Sequence, residues 1–214
     1  MTPGATGALG RVIRRAALRQ PDDAQRCDLC GVPVPDAHPH LLDERHGEPL
    51  CACRPCALLF EREEADRGHY RLVPGRRVRL AGISPADLGV PVGLAFFVCQ
   101  PGGGVTAHYP SPAGATRWEL ASGAWQRAVQ RCEPLRSMRP GVEALLVNTA
   151  HGSDEQWLVP IDDCYRLVAL VRREWKGLSG GRQVWAEVGR FFADLAARAG
   201  EPASACRPRQ ESAG

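Results

Sequence analysis

Two cysteine pairs of identical spacing, Cys27-Asp-Leu-Cys30 and Cys53-Arg-Pro-Cys56, constrain this chain more than any other feature. A tetrahedral ion needs four soft ligands converging from short knuckles, and a C-x2-C…C-x2-C arrangement supplies them. The stretch between the pairs reads as a hairpin. Leu41-Leu42-Asp43 and Pro49-Leu50-Cys51 flank a polar tip, Glu44-Arg45-His46-Gly47-Glu48. Gly31 follows the first pair, where a left-handed residue lets backbone N–H groups point at thiolate sulfur. Pro55 suits the first turn of a helix because its missing N–H costs nothing there. Ala57-Leu58-Leu59-Phe60 and Glu61-Arg62-Glu63-Glu64 continue that helix until Gly68. Knuckle, hairpin, then a second pair opening a helix is the order of a treble-clef or zinc-ribbon-like module, here over residues 26–69.

The predicted metal ligands are Cys27, Cys30, Cys53 and Cys56. Cys51 is the substitute, since Cys51-Ala-Cys53-Arg-Pro-Cys56 offers three thiols in a row of six residues. His38 and His40 lie between the pairs and could also substitute, although surface or hairpin positions suit them better. A closed all-sulfur site suits structural Zn2+, whose binding supplies ~10–16 kcal/mol to an otherwise coreless module. Iron is the alternative, in a rubredoxin-like site or in an iron–sulfur centre on Cys51, Cys53 and Cys56 with a fourth ligand. Rubredoxin knuckles sit in loops followed by glycine. The second pair here runs into an apolar helix, which favours zinc.

The chain's 214 residues suit a small module beside a larger domain. Nine cysteines, an odd number, point to metal ligation before disulfides if the compartment is reducing. No apolar run approaches the ~20 residues of a membrane span, and the N-terminal stretch lacks an apolar signal core. The expectation is a cytoplasmic protein. A net charge of +3 is too small to argue for nucleic acid. Arg71, Arg76, Arg77 and Arg79 do form a basic pair of strands, but interleaved stacking aromatics are nearly absent, and a solvated or protein-facing edge suits them better.

Residues 1–25 read as a tail followed by a short basic amphipathic helix with Leu9, Val12, Ile13 and Ala16 on one face. Residues 70–200 read as an α+β domain, and 201–214 as a disordered tail. Strands are expected over 71–73 and 77–80 around the turn Pro74-Gly75, then over 92–98, 105–109, 142–148 and 156–161. Helices are expected over 118–132, 163–175 and 182–198. Val92 aligns with Val142 and Pro110 with Pro160, which suggests a duplicated unit. The expected architecture is an antiparallel ββα-ββα sheet domain with a C-terminal helix.

The candidate catalytic residues read better as structure, so a non-catalytic protein is favoured. Cys164 sits near a helix N-terminus, but Asp162 and Asp163 oppose its ionisation and it lies on the apolar stripe. Cys99 and Cys132 read as buried structural thiols, and Cys206 falls in the tail. His108 and His151 have no Asp or Ser at triad-like spacing. Gly102-Gly103-Gly104 lacks the Gly-Lys-Ser/Thr end of a phosphate loop and links two strands.

The strings Cys27-Asp-Leu-Cys30-Gly31 and Leu50-Cys51-Ala-Cys53-Arg-Pro-Cys56-Ala-Leu-Leu-Phe60 resemble an uncharacterised actinobacterial family, a domain of unknown function. So do Pro91-Val-Gly-Leu-Ala-Phe-Phe97, Tyr109-Pro-Ser-Pro-Ala-Gly-Ala-Thr116 and Leu158-Val-Pro-Ile-Asp162 with Cys164-Tyr165. The resemblance implies a gene neighbourhood shared with uptake nickel–iron hydrogenases and their maturation proteins. The resemblance therefore implies an accessory role in hydrogenase assembly or electron delivery, with a protein partner, and it carries over no catalytic residues. A zinc-binding accessory protein is the leading reading. An iron electron carrier and a nucleic-acid-binding zinc finger protein are the alternatives.

Overall fold

A computed structural model describes residues 25–61, 68–83, 88–89, 93–120, 122–177, 181–199 and 204–206. The chain divides into two compact units, Met1–Gly75 and Arg76–Gly214. The helix expected over 9–19 and the extension of the second-knuckle helix over 62–67 lie outside the described residues.

The first unit is built on a three-stranded antiparallel sheet of order β2-β1-β3, with β1 at His40–Asp43, β2 at Glu48–Cys51 and β3 at Tyr70–Leu72. Pairing of β3 with β1 carries the first unit through Gly75, past the boundary at residue 69 expected from the sequence. The hairpin tip is closed by Asp43, whose carboxylate accepts from the Arg45 N–H at 2.9 Å and from His46 Nδ1 at 2.6 Å. Burial acts to raise the Asp43 carboxyl, but the His46 partner outweighs it and holds it below the usual carboxylate range. Helix α1, Arg54–Leu58, starts at Cys53 with Pro55 in its first turn. The core here is small. Leu41, Ala52 and Ala57 are fully buried, with Leu50, Phe60 and Leu72 packed against them. One leucine contributes about 1.5–3 kcal/mol, whereas each ordered residue costs about 1–2 kcal/mol of backbone entropy. A unit of this kind needs a cross-link.

The second unit carries a seven-stranded sheet of order β10-β4-β9-β8-β5-β6-β7. Its strands are β4 (Val78–Ala81), β5 (Leu94–Cys99), β6 (Val105–Ser111), β7 (Gly114–Glu119), β8 (Glu143–Asn148), β9 (Glu155–Pro160) and β10 (Ser204–Ala205). Every pairing is antiparallel except that of β10 with β4. Helices α2 (Ser122–Arg131) and α3 (Glu133–Arg136) supply Trp125, Ala128 and Leu135 to a core with Ala95, Phe97, Leu145, Val147 and Leu158. Helix α4 (Ile161–Glu174) packs on β6 to β9 and against α5 (Gly181–Arg198). All six residues of β8 are buried, as expected of a central strand covered on both faces.

The expected ββα-ββα layout is corrected in its first half. Hairpins β5–β6 and β8–β9 both form and join through β5 and β8, where Phe96 faces Leu146. A third strand then precedes the first helix. Ser111 pairs with Gly114 across a two-residue turn in which Gly114 has φ of 123°, a value that favours glycine. That turn makes residues 114–119 a strand, so α2 begins at Ser122 and Trp118 is exposed on β7 rather than lining a helix. Strands β3 and β4 likewise do not pair with each other around Pro74-Gly75. They join different sheets.

Two acids are buried with arginine partners. Glu143 takes two hydrogen bonds from Arg76, at 3.0 and 2.9 Å, and one from the Arg139 N–H at 2.8 Å. Asp163 is approached by Arg77 at 2.6 Å, Arg166 at 3.2 Å and Arg198 at 3.3 Å. Residues 204–206 correct the expected tail: β10 pairs with β4, and Cys206 forms a disulfide with Cys132. The cysteine count favoured metal ligation over disulfides, and it misses this pair because the strand that delivers Cys206 is only two residues long.

Candidate metal centre

The first knuckle is a tight turn held by its own backbone. The Cys27 N–H donates to the Val32 carbonyl and the Gly31 N–H to the Cys27 carbonyl, each at 2.8 Å. Gly31 has φ of 77°, the left-handed geometry its position predicts. The second knuckle uses the start of α1. Cys53 is extended just before the helix, its carbonyl accepts from the Ala57 N–H at 2.9 Å, and Cys56 lies one turn in. Asp28 locks the knuckle to the hairpin: its N–H donates to the Cys51 carbonyl at 2.8 Å, and its Oδ2 accepts from the Cys51 N–H at 2.7 Å.

These elements bring Cys27, Cys30, Cys53 and Cys56 together, with their four sulfurs within 4.8 Å of one another. Cys30 Sγ and Cys53 Sγ are 3.6 Å apart. A zinc–sulfur bond of about 2.3 Å gives a tetrahedron with edges of about 3.8 Å, so the spacing fits a four-thiolate ion site. Cys27 is buried and Cys30 exposed.

The electrostatics fit a cation. Burial opposes ionisation of Cys27, but N–H donors from Cys53, Cys30 and Leu29 outweigh it and bring the thiol down to about 6. Neighbouring sulfurs, Cys53 and Cys30 foremost, push Cys56 up to about 12. Cys30 is also raised: the Val32 N–H favours its thiolate, but the adjacent Cys27 and Cys53 thiols and burial outweigh it. The cage thus ionises one thiol readily and resists further negative charge. A bound cation removes that resistance.

Cys51 lies outside the four-sulfur cluster and groups instead with His38 and His40. The remaining candidates are buried, half-buried or packed against aromatic rings. Cys164 is fully buried, and burial with Asp163 and Asp162 pushes its thiol well up. Burial likewise brings Cys99 up to about 11. His108 stacks on Phe96 at 4.8 Å, and His151 lies against Trp185 at 4.5 Å. The basic residues expected on a strand pair each meet an acid: Arg71 with Glu44, Arg76 with Glu143, Arg77 with Asp163 and Arg79 with Glu155. Asp28 was missed in the sequence, where nothing marks an acid inside a C-x2-C pair as a tie to a strand 23 residues away.

Fold and site define a protein with a four-cysteine cluster that could hold a metal ion, in a module compatible with a zinc ribbon, followed in the chain by a mixed antiparallel sheet and helix domain. The chain belongs to the family of unknown function DUF5947, whose model matches residues 26–199. No curated protein and no solved structure matches it. Among the described residues, no helix is long and apolar enough to cross a membrane.

Proposed function

We propose that this protein is a non-catalytic accessory protein whose treble-clef-like module is held together by zinc and which works by docking another protein. The observation that carries this reading is the convergence of four cysteine sulfurs in one cage. Four thiolates fill a tetrahedral ion's coordination, which is the arrangement of a structural site and leaves no position for substrate. Zinc is favoured over iron because Cys56 lies within α1 rather than in a second loop. The exposed apolar side chains Leu29, Val32, Leu58 and Leu59 all lie within three residues of a cage cysteine, which supports a protein-facing role. Arg71, Arg76, Arg77 and Arg79 support nucleic-acid binding poorly, because each guanidinium meets a carboxylate. The partner implied by the family resemblance is a nickel–iron hydrogenase or a protein of its maturation.

Metal analysis with a visible spectrum tests the metal. A colourless protein carrying zinc that is lost in Cys27→Ser supports the reading; a coloured iron protein replaces it with electron transfer. Pull-down from cells expressing hydrogenase tests the partner. Recovery of hydrogenase subunits or maturation proteins supports that assignment, and their absence removes it.

A further inference from the structure

Beside the four-sulfur cage, and sharing no ligand with it, three further donors converge. His38, His40 and Cys51 each offer one ligand atom, and these atoms lie within 4.8 Å of one another. The sequence gives little reason to group them, because eleven positions separate His40 from Cys51. The hairpin removes that distance: His40 and Cys51 are directly opposite each other in the β1–β2 register, so their side chains leave the same face of the sheet. His38 enters from the segment before β1, and its ring centroid lies 4.6 Å from that of His40 at a tilt of 48°.

The neutral His38 ring is held in the tautomer a ligand needs. Its Nδ1 is 2.7 Å from the Pro35 carbonyl. A carbonyl can only accept, so Nδ1 carries the proton and Nε2 holds a lone pair. That Nε2 is buried and has no hydrogen-bond partner. A buried acceptor without a partner is unfavourable until something binds it, and donation of the other ring nitrogen to a backbone carbonyl is how metal-ligating histidines are usually oriented. Cys51 is equally fixed, since Asp28 holds its backbone on both sides.

We propose that His38, His40 and Cys51 form a second metal site, which takes a divalent transition ion of zinc's class. Two imidazoles and one thiolate are a borderline-soft donor set suited to zinc. A tetrahedral site of this kind has ligand edges of about 3.3–3.7 Å, so the three donors need only small side-chain rotations to close on an ion. Three protein ligands leave a fourth position open. A site with one exchangeable position binds water, or a donor atom from another molecule, where the closed cage cannot. The inference goes beyond the proposed function: the cage holds the module together, while the second site has coordination chemistry to offer.

The test uses the full chain. Purified protein is loaded with zinc, dialysed, and its bound metal counted by mass spectrometry. Two equivalents per chain are expected, falling to one in the His38→Gln/His40→Gln variant. One equivalent in the wild type, or two retained in the variant, overturns the proposal. Cadmium NMR of the wild type gives the same answer if the variant fails to fold: two resonances are expected, one in the four-thiolate range and one at the higher field of mixed nitrogen–sulfur ligation, and a lone four-thiolate resonance overturns it. A single equivalent that is lost in Cys27→Ser would end this proposal and leave the cage reading intact.

Discussion

Lowering the pH should weaken the second unit through His108, and the size of the effect can be worked from its surroundings. His108 sits on β6 opposite Phe96 on one side and Arg117 on the other. Burial first, and the Arg117 charge second, bring its pKa from 6.5 down to about 4. The folded protein therefore resists a proton that the unfolded chain accepts below about pH 6.5. The sign follows. Above pH 6.5 the imidazole is neutral in both states and costs nothing; between pH 6.5 and about 4 the unfolded chain gains a proton first, and stability falls as pH falls. A difference of about 2.5 units corresponds to about 3.4 kcal/mol at the lower end. In His108→Phe the ring stack on Phe96 is retained and the titration is removed. Urea unfolding followed by tryptophan fluorescence is the assay, because all five tryptophans fall in the second unit. Subtracting the variant's unfolding free energy from the wild type's cancels the other titrating groups. That difference should change by about 3 kcal/mol between pH 7 and pH 4. A pH-independent difference would refute the assigned cause.

Two further changes test the packing. In Gly93→Ala, the new methyl would sit 2.8 Å from the Ala150 nitrogen and 2.9 Å from its Cα, both backbone atoms; a loss of about 1–3 kcal/mol is expected in urea unfolding, and a neutral result would mean the two segments separate freely. Arg76→Ala strands the buried Glu143 carboxylate and should cost about 3–5 kcal/mol, whereas Arg76→Ala/Glu143→Leu should recover most of it. Additive losses in that double variant would show that the pair is not coupled.

The cysteine pairs were legible because ligand spacing is a local property: Gly31 and Pro55 announce the knuckle and the helix start with no reference to the rest of the chain. The strands around Phe96 and Leu146 were legible as continuous apolar runs, and the stripe of Val184, Val188, Phe192 and Leu195 on α5 from its helical period. What failed was pairing. Ser111-Pro-Ala-Gly114 is a turn signal, but Trp118 at helical spacing from Ala121 and Trp125 drew residues 118–121 into a helix. Pro74-Gly75 looks like the tip of a hairpin, yet the strands on either side find partners in separate sheets. Neither His40 facing Cys51 nor Cys206 reaching Cys132 leaves any local trace, since each depends on register between distant segments.

The bond between Cys132 and Cys206 also has a topological consequence. It closes a covalent ring containing α3, β8, β9, α4, α5 and β10, with two of the central strands and the two longest helices among the described residues. A single protease cut in the loop after α4 would leave both halves tethered, so the nicked protein would migrate as one species until reductant is added. Under tension the route of force changes too. A pull on residues beyond 206 is handed through sulfur to the end of α2, so α5 is bypassed and carries none of the load.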